Sequence, residues 1–347
     1  MSSTIPESPR TPARPPFTDL PDLAAARVGG VVLHATDDFF APKENLIEAR
    51  PPEWRDGVYT ERGKWMDGWE SRRSFGRVPG HTHDACVLEL GLPGLIRGVD
   101  IDTSWFRGNF PESAALFGAD VLGRADAEAL AHATWFPLVP RIALEGHGPN
   151  YFAVGGDQRV THVRLDIYPD GGVARLRVHG VVLPDWPRIL GLGGAIDLAA
   201  LEHGGVVVAA NDMFFGSRHN LIQPGRSVNM GDGWETRRKR QVGHDFCVVA
   251  LGRRGTIREL EIDTNHFKGN FPESAEVHGV DLAEATPDEL HKAHWVEVLP
   301  RTKLRGHTRH LFDALAHEPD RRFTHVRLTI HPDGGISRLR VRGLPDA

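Results

Sequence analysis

The chain has 347 residues, 40% of them hydrophobic and 25% charged, with a formal net charge of −5. Those proportions are globular, and the length suits two average domains better than one core. No clustered basic run is present to grip nucleic acid without regard to sequence, and no apolar stretch approaches the roughly 18 residues of a membrane helix, so neither a nucleic-acid nor a membrane partner is expected.

In chain order, residues 1–16 are rich in Pro, Ser and Arg and predict a disordered tail. They contain no apolar signal core, which predicts a cytoplasmic protein. From Phe17 onward the chain is written twice. DLAAARVGGVV (22–32) recurs as DLAALEHGGVV (197–207), and DDFFAPKENLIE (37–48) as DMFFGSRHNLIQ (212–223). DGWESRR (67–73) recurs as DGWETRR (232–238), and HDACVLELG (83–91) as HDFCVVALG (244–252). DTSWFRGNFPESA (102–114) recurs as DTNHFKGNFPESA (263–275), and LVPRIALEGH (138–147) as VLPRTKLRGH (298–307). THVRLDIYPDGGVARLRVHG (161–180) recurs as THVRLTIHPDGGISRLRVRG (324–343). Duplication on this scale means two copies of one domain. The first spans 17–183 and the second 193–347, with a linker at 184–192 holding Pro184, Asp185, Trp186 and Pro187. The first copy is longer at 49–66, where Trp54, Arg55, Tyr59, Lys64 and Trp65 lie in an expected surface loop.

Within each copy the pattern is mostly β. GVVLHA, ACVLELG and IRGVDID read as strands, and Pro-Asp-Gly-Gly between two alternating segments predicts a β-hairpin over 161–180 with one wet face. Short helices are expected at 125–133 and 286–295, the latter capped by Thr286. Many short strands with few helices indicate an all-β fold, two tandem jelly-roll sandwiches. Cys86 and Cys247 fall at matching points in apolar strands and read as buried free thiols, since a disulfide would have to join two separate cores.

Polar residues gather in the repeated blocks. In DGWE-[ST]-RR, Asp-Gly suggests a turn and Trp a buried anchor. Arg72, Arg73, Arg237 and Arg238 are either solvated or planar grips for a carboxylate, which Lys cannot match bidentately. Asp67 and Asp232 open the same block. Glu70 and Glu235 could exchange protons if burial raised their pKa. In the GNFPES loop, Asp102, Asn109, Asp263 and Asn270 suit either turn bonding or recognition of amide-like groups. Glu112 and Glu273 follow, and Phe110 and Phe271 are expected to plug the core. The spacing of His81, His83 and Glu89 does not fit a cupin metal site, and the second copy lacks His81 and Glu89; the His-Asp pairs at His83 and His244 suggest a dyad or a bonded strand end. The chain carries no CxxC, HExxH, P-loop or dinucleotide-binding glycine pattern.

Taken together, the duplication, DDFFAPKENLI, MDGWESRR, HDACVLELG and the two DT-x-x-F-[RK]-GNFPESA segments resemble the allantoicase (allantoate amidinohydrolase) family from about Phe17 to Gly343. The resemblance implies jelly-roll repeats of the galactose-binding-like type. It also implies hydrolysis of allantoate to ureidoglycolate and urea in purine (allantoin) degradation. On that reading Arg72 or Arg73, with Arg237 or Arg238, would hold the substrate carboxylate, and Asp102 and Asn109 would read its ureido arms. Glu70, His83 and Glu112, with Glu235, His244 and Glu273, are the candidates for the acid that protonates the leaving urea and the base that activates water. No cofactor is demanded, although a divalent ion such as Mn²⁺ could polarise the ureido oxygen. Faces left free on tandem sandwiches lead us to expect a homo-oligomer. The rival readings are a non-catalytic carbohydrate- or small-ligand-binding protein and a metal-dependent cupin-like hydrolase.

Overall fold

A computed structural model describes residues 7–121 and 125–347. The chain divides into two units, one ending at Leu183 and the other spanning Pro184–Ala347. Each is a β-sandwich organised by one long strand.

In repeat 1 the strands are β1 (Val31–Ala35), β2 (Asp84–Asp102), β3 (Ser113–Ala119), β4 (Phe136–Ala143), β5 (Tyr151–Ala153), β6 (Arg159–Tyr168) and β7 (Arg175–Val182). The expected strands ACVLELG and IRGVDID are the two ends of β2, which runs 19 residues. Its first half pairs with β1 and β6 (Cys86 opposite Leu165, Leu88 opposite Val163). Its second half pairs with β7 and β5 (Val99 opposite Val178, Ile101 opposite Leu176). Strand β1 gives way to β7 between Glu89 and Gly94, where the register with β6 also shifts, and β6 stays paired as far as Leu95. Side chains alternate buried and half-buried along β2, as a strand with one face on a core requires.

The expected hairpin over 161–180 does not form. Strands β6 and β7 both pair with β2 and not with each other. The Pro-Asp-Gly-Gly turn carries the chain from β6, largely along the first half of β2, to β7 along its second half, and Gly172 and Val173 pair with Glu70 and Trp69. On the face expected to be wet, Asp166 and Arg175 are buried and Arg164, Tyr168 and Arg177 are half-buried.

Repeat 2 follows the same plan with β8 (Val206–Ala210), β9 (Asp245–Asp263), β10 (Ser274–Val280), β11 (Val296–Lys303), β12 (Arg309–Phe312), β13 (Arg322–His331) and β14 (Arg338–Pro345). Helices are short: α1 (Ala127–His132), α2 (Trp186–Leu192) and α3 (Pro287–Lys292). Thr286 caps α3 in a reciprocal box with Glu289, as expected. Helix α2 occupies most of the stretch expected as a linker. Among the described residues, no helix is long and apolar enough to cross a membrane.

The cores hold Trp69, Phe106, Leu88 and Ile101 in repeat 1, and Trp234, Phe267, Leu328 and Ile262 in repeat 2. Phe106 and Phe267, and not Phe110 and Phe271, are the fully buried plugs of the GNFPES loops. Full burial of such a ring contributes roughly 2–3 kcal/mol. Cys86 and Cys247 are buried and free, and burial pushes both thiols well above their ordinary range. The disorder expected for residues 1–16 does not extend over the described part of the tail. Arg10 donates from its backbone to His147 O (2.8 Å) and from Nε to Gly146 O (2.9 Å).

Candidate active site

Three repeated blocks, far apart in sequence, meet in each repeat. In repeat 1, Trp69 is buried and its indole N–H donates to Asp37 O at 2.7 Å. That anchor fixes its neighbour Glu70. The Glu70 backbone is bonded to Ala41 on one side (N–H to O, 3.1 Å) and pairs with Gly172 on the other. The Gly172 N–H also donates to Asn109 O at 2.7 Å. Gly171 lies at φ 138°, and a Cβ there would stand 2.8 Å from Asn109 O, so only glycine permits this approach. The turn read as a hairpin therefore buttresses the GNFPES loop.

On that buttress the Asn109 side-chain amide donates to Glu70 Oε1 at 2.8 Å. Asp170 Oδ2 accepts from the N–H groups of Ser74 (2.8 Å) and Phe75 (3.0 Å), tying down the loop that presents Arg73. Burial pushes the Glu70 carboxyl above its ordinary range, against the hydrogen bond from Asn109 and the charge of Arg73, which favour the ionised form.

Repeat 2 duplicates this frame. Trp234 donates to Asp212 O (2.8 Å), Gly335 N–H to Asn270 O (2.8 Å), and Lys239 N–H to Asp333 Oδ2 (2.7 Å). Gly334 takes the place of Gly171 at φ 135°. The Asn270 amide donates to Glu235 Oε1.

Both constellations line open pockets. The one in repeat 1 has a volume of about 530 Å³ and is lined by Glu70, Asn109, Arg73, Arg77, Arg107, Lys64, Trp54 and Trp105 among others. Trp54 and Trp105 lie 5.8 Å apart between ring centroids, and Lys64 Nζ sits 3.8 Å from the Trp54 ring. The pocket in repeat 2, about 680 Å³, is lined by Glu235, Asn270, Arg238, Phe215, Glu273, Lys303 and Asp333 among others.

The remaining candidate residues lie elsewhere. Arg72 folds back onto Asp37 (Nε to Oδ2, 2.6 Å), and Arg237 onto Asp212 (3.4 Å). Asp67 is buried and accepts from Arg175 (2.9 Å), Arg50 (2.7 Å) and the Glu53 N–H (2.8 Å). Burial raises its pKa, but Arg175, the Glu53 N–H and Arg50 outweigh this and hold it below the ordinary range. Asp232 pairs with Arg338 at 2.9 Å. Asp102 and Asp263 are buried and accept the N–H of Ser104 (2.7 Å) and Asn265 (2.9 Å). These four acids sit in the framework under the site and do not line either pocket.

His83 stacks on Tyr168 (5.1 Å) and His244 lies beside His331 (5.5 Å); neither lines a glutamate pocket. The Asp partners of the two strand ends bond elsewhere, Asp84 to Thr36 Oγ1 (2.7 Å) and Asp245 to Asn211 Nδ2 (3.0 Å). Glu112 is exposed and outside the repeat-1 lining, whereas its counterpart Glu273 lines the repeat-2 pocket and pairs with Arg301 at 3.3 Å. The wall residues Trp54, Lys64, Arg77 and Trp105 are not marked as binding groups by the sequence, and Arg107 stands out only as one polar residue of the repeated GNFPES block. The signal for Trp54 and Lys64 is the extra length at 49–66, and for Trp105 and Arg107 their exchange for His266 and Lys268; Arg77 carries no such signal. Among the described residues, no three His, Cys, Asp or Glu side chains gather as a metal-holding group.

Comparison with known proteins bears on this arrangement. The allantoicase repeat family matches residues 21–183 and 196–346. A probable allantoicase of Pseudomonas aeruginosa is 44% identical over 332 residues, covering 95% of this chain and 97% of the relative. An allantoicase of Dictyostelium discoideum is 43% identical over 330 residues, covering 94% and 88%. The crystal structure of an allantoicase from Saccharomyces cerevisiae superposes with a TM-score of 0.75 at 34% identity, covering 93% of this chain and 92% of that one.

Proposed function

This chain belongs to the allantoicase family, and on that premise we propose that allantoate is bound and cleaved in the repeat-1 pocket, with Glu70 moving the protons. The activity is the family's: allantoate and water give ureidoglycolate and urea in purine degradation. The observation behind the choice of site is the carboxylate–amide–guanidinium set of Glu70, Asn109 and Arg73. It is assembled from separate blocks onto one buttress and repeated as Glu235, Asn270 and Arg238.

Allantoate carries one carboxylate and two ureido arms on a central carbon. The guanidinium of Arg73, with Arg77 and Arg107 on the same walls, offers a planar bidentate partner for the carboxylate. The Asn109 amide, whose N–H is directed at Glu70, can accept a ureido N–H through Oδ1. Glu70 in its neutral form, favoured by burial, donates its proton to the ureido nitrogen as the C–N bond breaks. That bonding pair leaves with urea, and the lone pair of the second ureido nitrogen closes a C=N bond to the central carbon. Water then adds to that carbon, and its proton returns to the Glu70 carboxylate. One carboxyl group thus serves as acid and then as base, closing the cycle without His83 or Glu112. General acid–base catalysis of this kind is worth about 10²- to 10⁴-fold.

The test is urea release from allantoate by the purified chain and by Glu70→Gln. We expect the wild type to form urea and the variant to lose at least about 100-fold in kcat. A variant that turns over at the wild-type rate would remove the chemistry from this pocket.

A further inference from the structure

A side chain with a Cβ pays a steric penalty in left-handed backbone. Repeat 1 places two such residues, from different loops, against one another: Trp105 at φ 71° and His147 at φ 61°. Repeat 2 does the same with His266 at φ 68° and His307 at φ 51°. One hydrogen bond joins each pair. The Trp105 N–H donates to His147 Nδ1 at 3.1 Å, and the His266 N–H donates to His307 Nδ1 at 2.9 Å. Nδ1 can accept only if the ring is neutral and its proton sits on Nε2. In repeat 1 that Nε2 faces the Glu7 carbonyl at 2.9 Å, which fixes the tautomer. The same carbonyl accepts from Arg107 Nη2 at 2.6 Å.

Held this way, Trp105 becomes a wall of the glutamate pocket. Its indole N–H reaches back to Pro52 O at 3.0 Å, and its ring lies 5.4 Å from His147 and 5.8 Å from Trp54. His147 itself does not line the pocket. We propose that His147 is a positioning residue for allantoate binding: its Nδ1 holds the Trp105 backbone in the left-handed turn that presents the indole to the repeat-1 pocket. This rests on the reading that allantoate occupies that pocket.

The requirement is for an acceptor at one place on the side chain, which separates it from a bulk or stability role. In asparagine, Oδ1 lies where Nδ1 lies, and asparagine tolerates left-handed backbone well. In glutamine the amide reaches the place of Nε2 and leaves the Trp105 N–H unbonded. We expect His147→Asn to keep KM for allantoate within about threefold of wild type, and His147→Gln to raise KM about tenfold (a 1.4 kcal/mol change) with kcat altered less. His147→Gly relieves the strain at its own position but offers no acceptor. It should fold and behave like the glutamine variant, and it takes that variant's place if His147→Gln does not fold. Thermal midpoints of the three are measured alongside. Equal KM values for Asn and Gly, whether both near wild type or both raised, overturn the proposal. Glu70→Gln is assayed in parallel. If it loses turnover while the His147 series shows no Asn-versus-Gly split, only the role of His147 falls. If Glu70→Gln keeps turnover, the repeat-1 site falls instead.

Discussion

In repeat 1, Glu70 and Asn109 are walled by Trp54, Lys64, Trp105 and Arg107; in repeat 2, Glu235 and Asn270 are walled by Phe215, Lys303 and Glu273, with His266 in the sequence position of Trp105. Beneath these walls the two frames share their main bonds. A buried Trp anchors the glutamate, a Gly-Gly turn props the asparagine, and a turn Asp ties the following loop. The frame is made of backbone hydrogen bonds and fully packed rings, where a change leaves an unmet buried polar group or a void. The walls come largely from loops, which tolerate length and identity changes. Keeping the carboxylate–amide pair does not by itself make the two pockets equal.

Glu235→Gln puts the largest number on that inequality. We expect it to lower kcat for urea release less than about threefold, against the loss of 100-fold or more for Glu70→Gln. Equal losses from the two variants would mean that both repeats catalyse.

The framework acids differ in enclosure as well. Asp67 and Arg175 are each 1% exposed, whereas Asp232 is 12% exposed beside Arg338. Removing one partner of an enclosed pair leaves a buried charge, at a cost of about 3–5 kcal/mol. Asp67→Asn should therefore destabilise the chain by that order in urea denaturation, and Asp232→Asn by less. Because the Asp67 pKa is depressed, its contribution is present at neutral pH and is lost as pH falls through the depressed value. The asparagine variant should lose that part of the acid sensitivity.

A pH profile sharpens the comparison further. On the proposed mechanism Glu70 acts first as an acid, so turnover is expected to fall as pH rises through its raised value. The Asn109 N–H favours the charged form. Asn109→Ala should raise the Glu70 value and move the descending limb to higher pH by about one unit, since a hydrogen bond to a charged group is worth about 1.5–3 kcal/mol. Asn270→Ala should leave the limb in place. The smallest contrast is between the thiols: Cys86 and Cys247 are buried alike, so neither should react with a thiol reagent until the chain is denatured.

Much of the molecule is legible in its sequence. Strand positions, the capped α3, the buried thiols and the allantoicase resemblance followed from alternation, turn chemistry and repeated blocks. Glu70, Arg73 and Asn109 were named and do converge. The hairpin was misread because Pro-Asp-Gly-Gly shows only that the chain turns; the 19-residue strand β2 claims both flanking segments as its own partners. The Gly-Asn-Phe-Pro pattern points to Phe110 as the plug, but Phe106 takes that place because Gly68 and Gly172, lacking side chains, leave room for its ring.

What the sequence determined was local and repetitive: two copies of one β-domain, the ends of their strands, and a short set of polar residues kept in both. What tertiary structure decided was which of those polar residues line a pocket and which are locked into the frame beneath it. Asp67 and Glu70 are three positions apart on one block. Yet Asp67 is neutralised by Arg175, 108 residues away, while Glu70 receives an amide N–H from Asn109 and remains on a pocket wall. The role of a carboxylate depends on the charges that folding brings to it, and no local pattern encodes those partners.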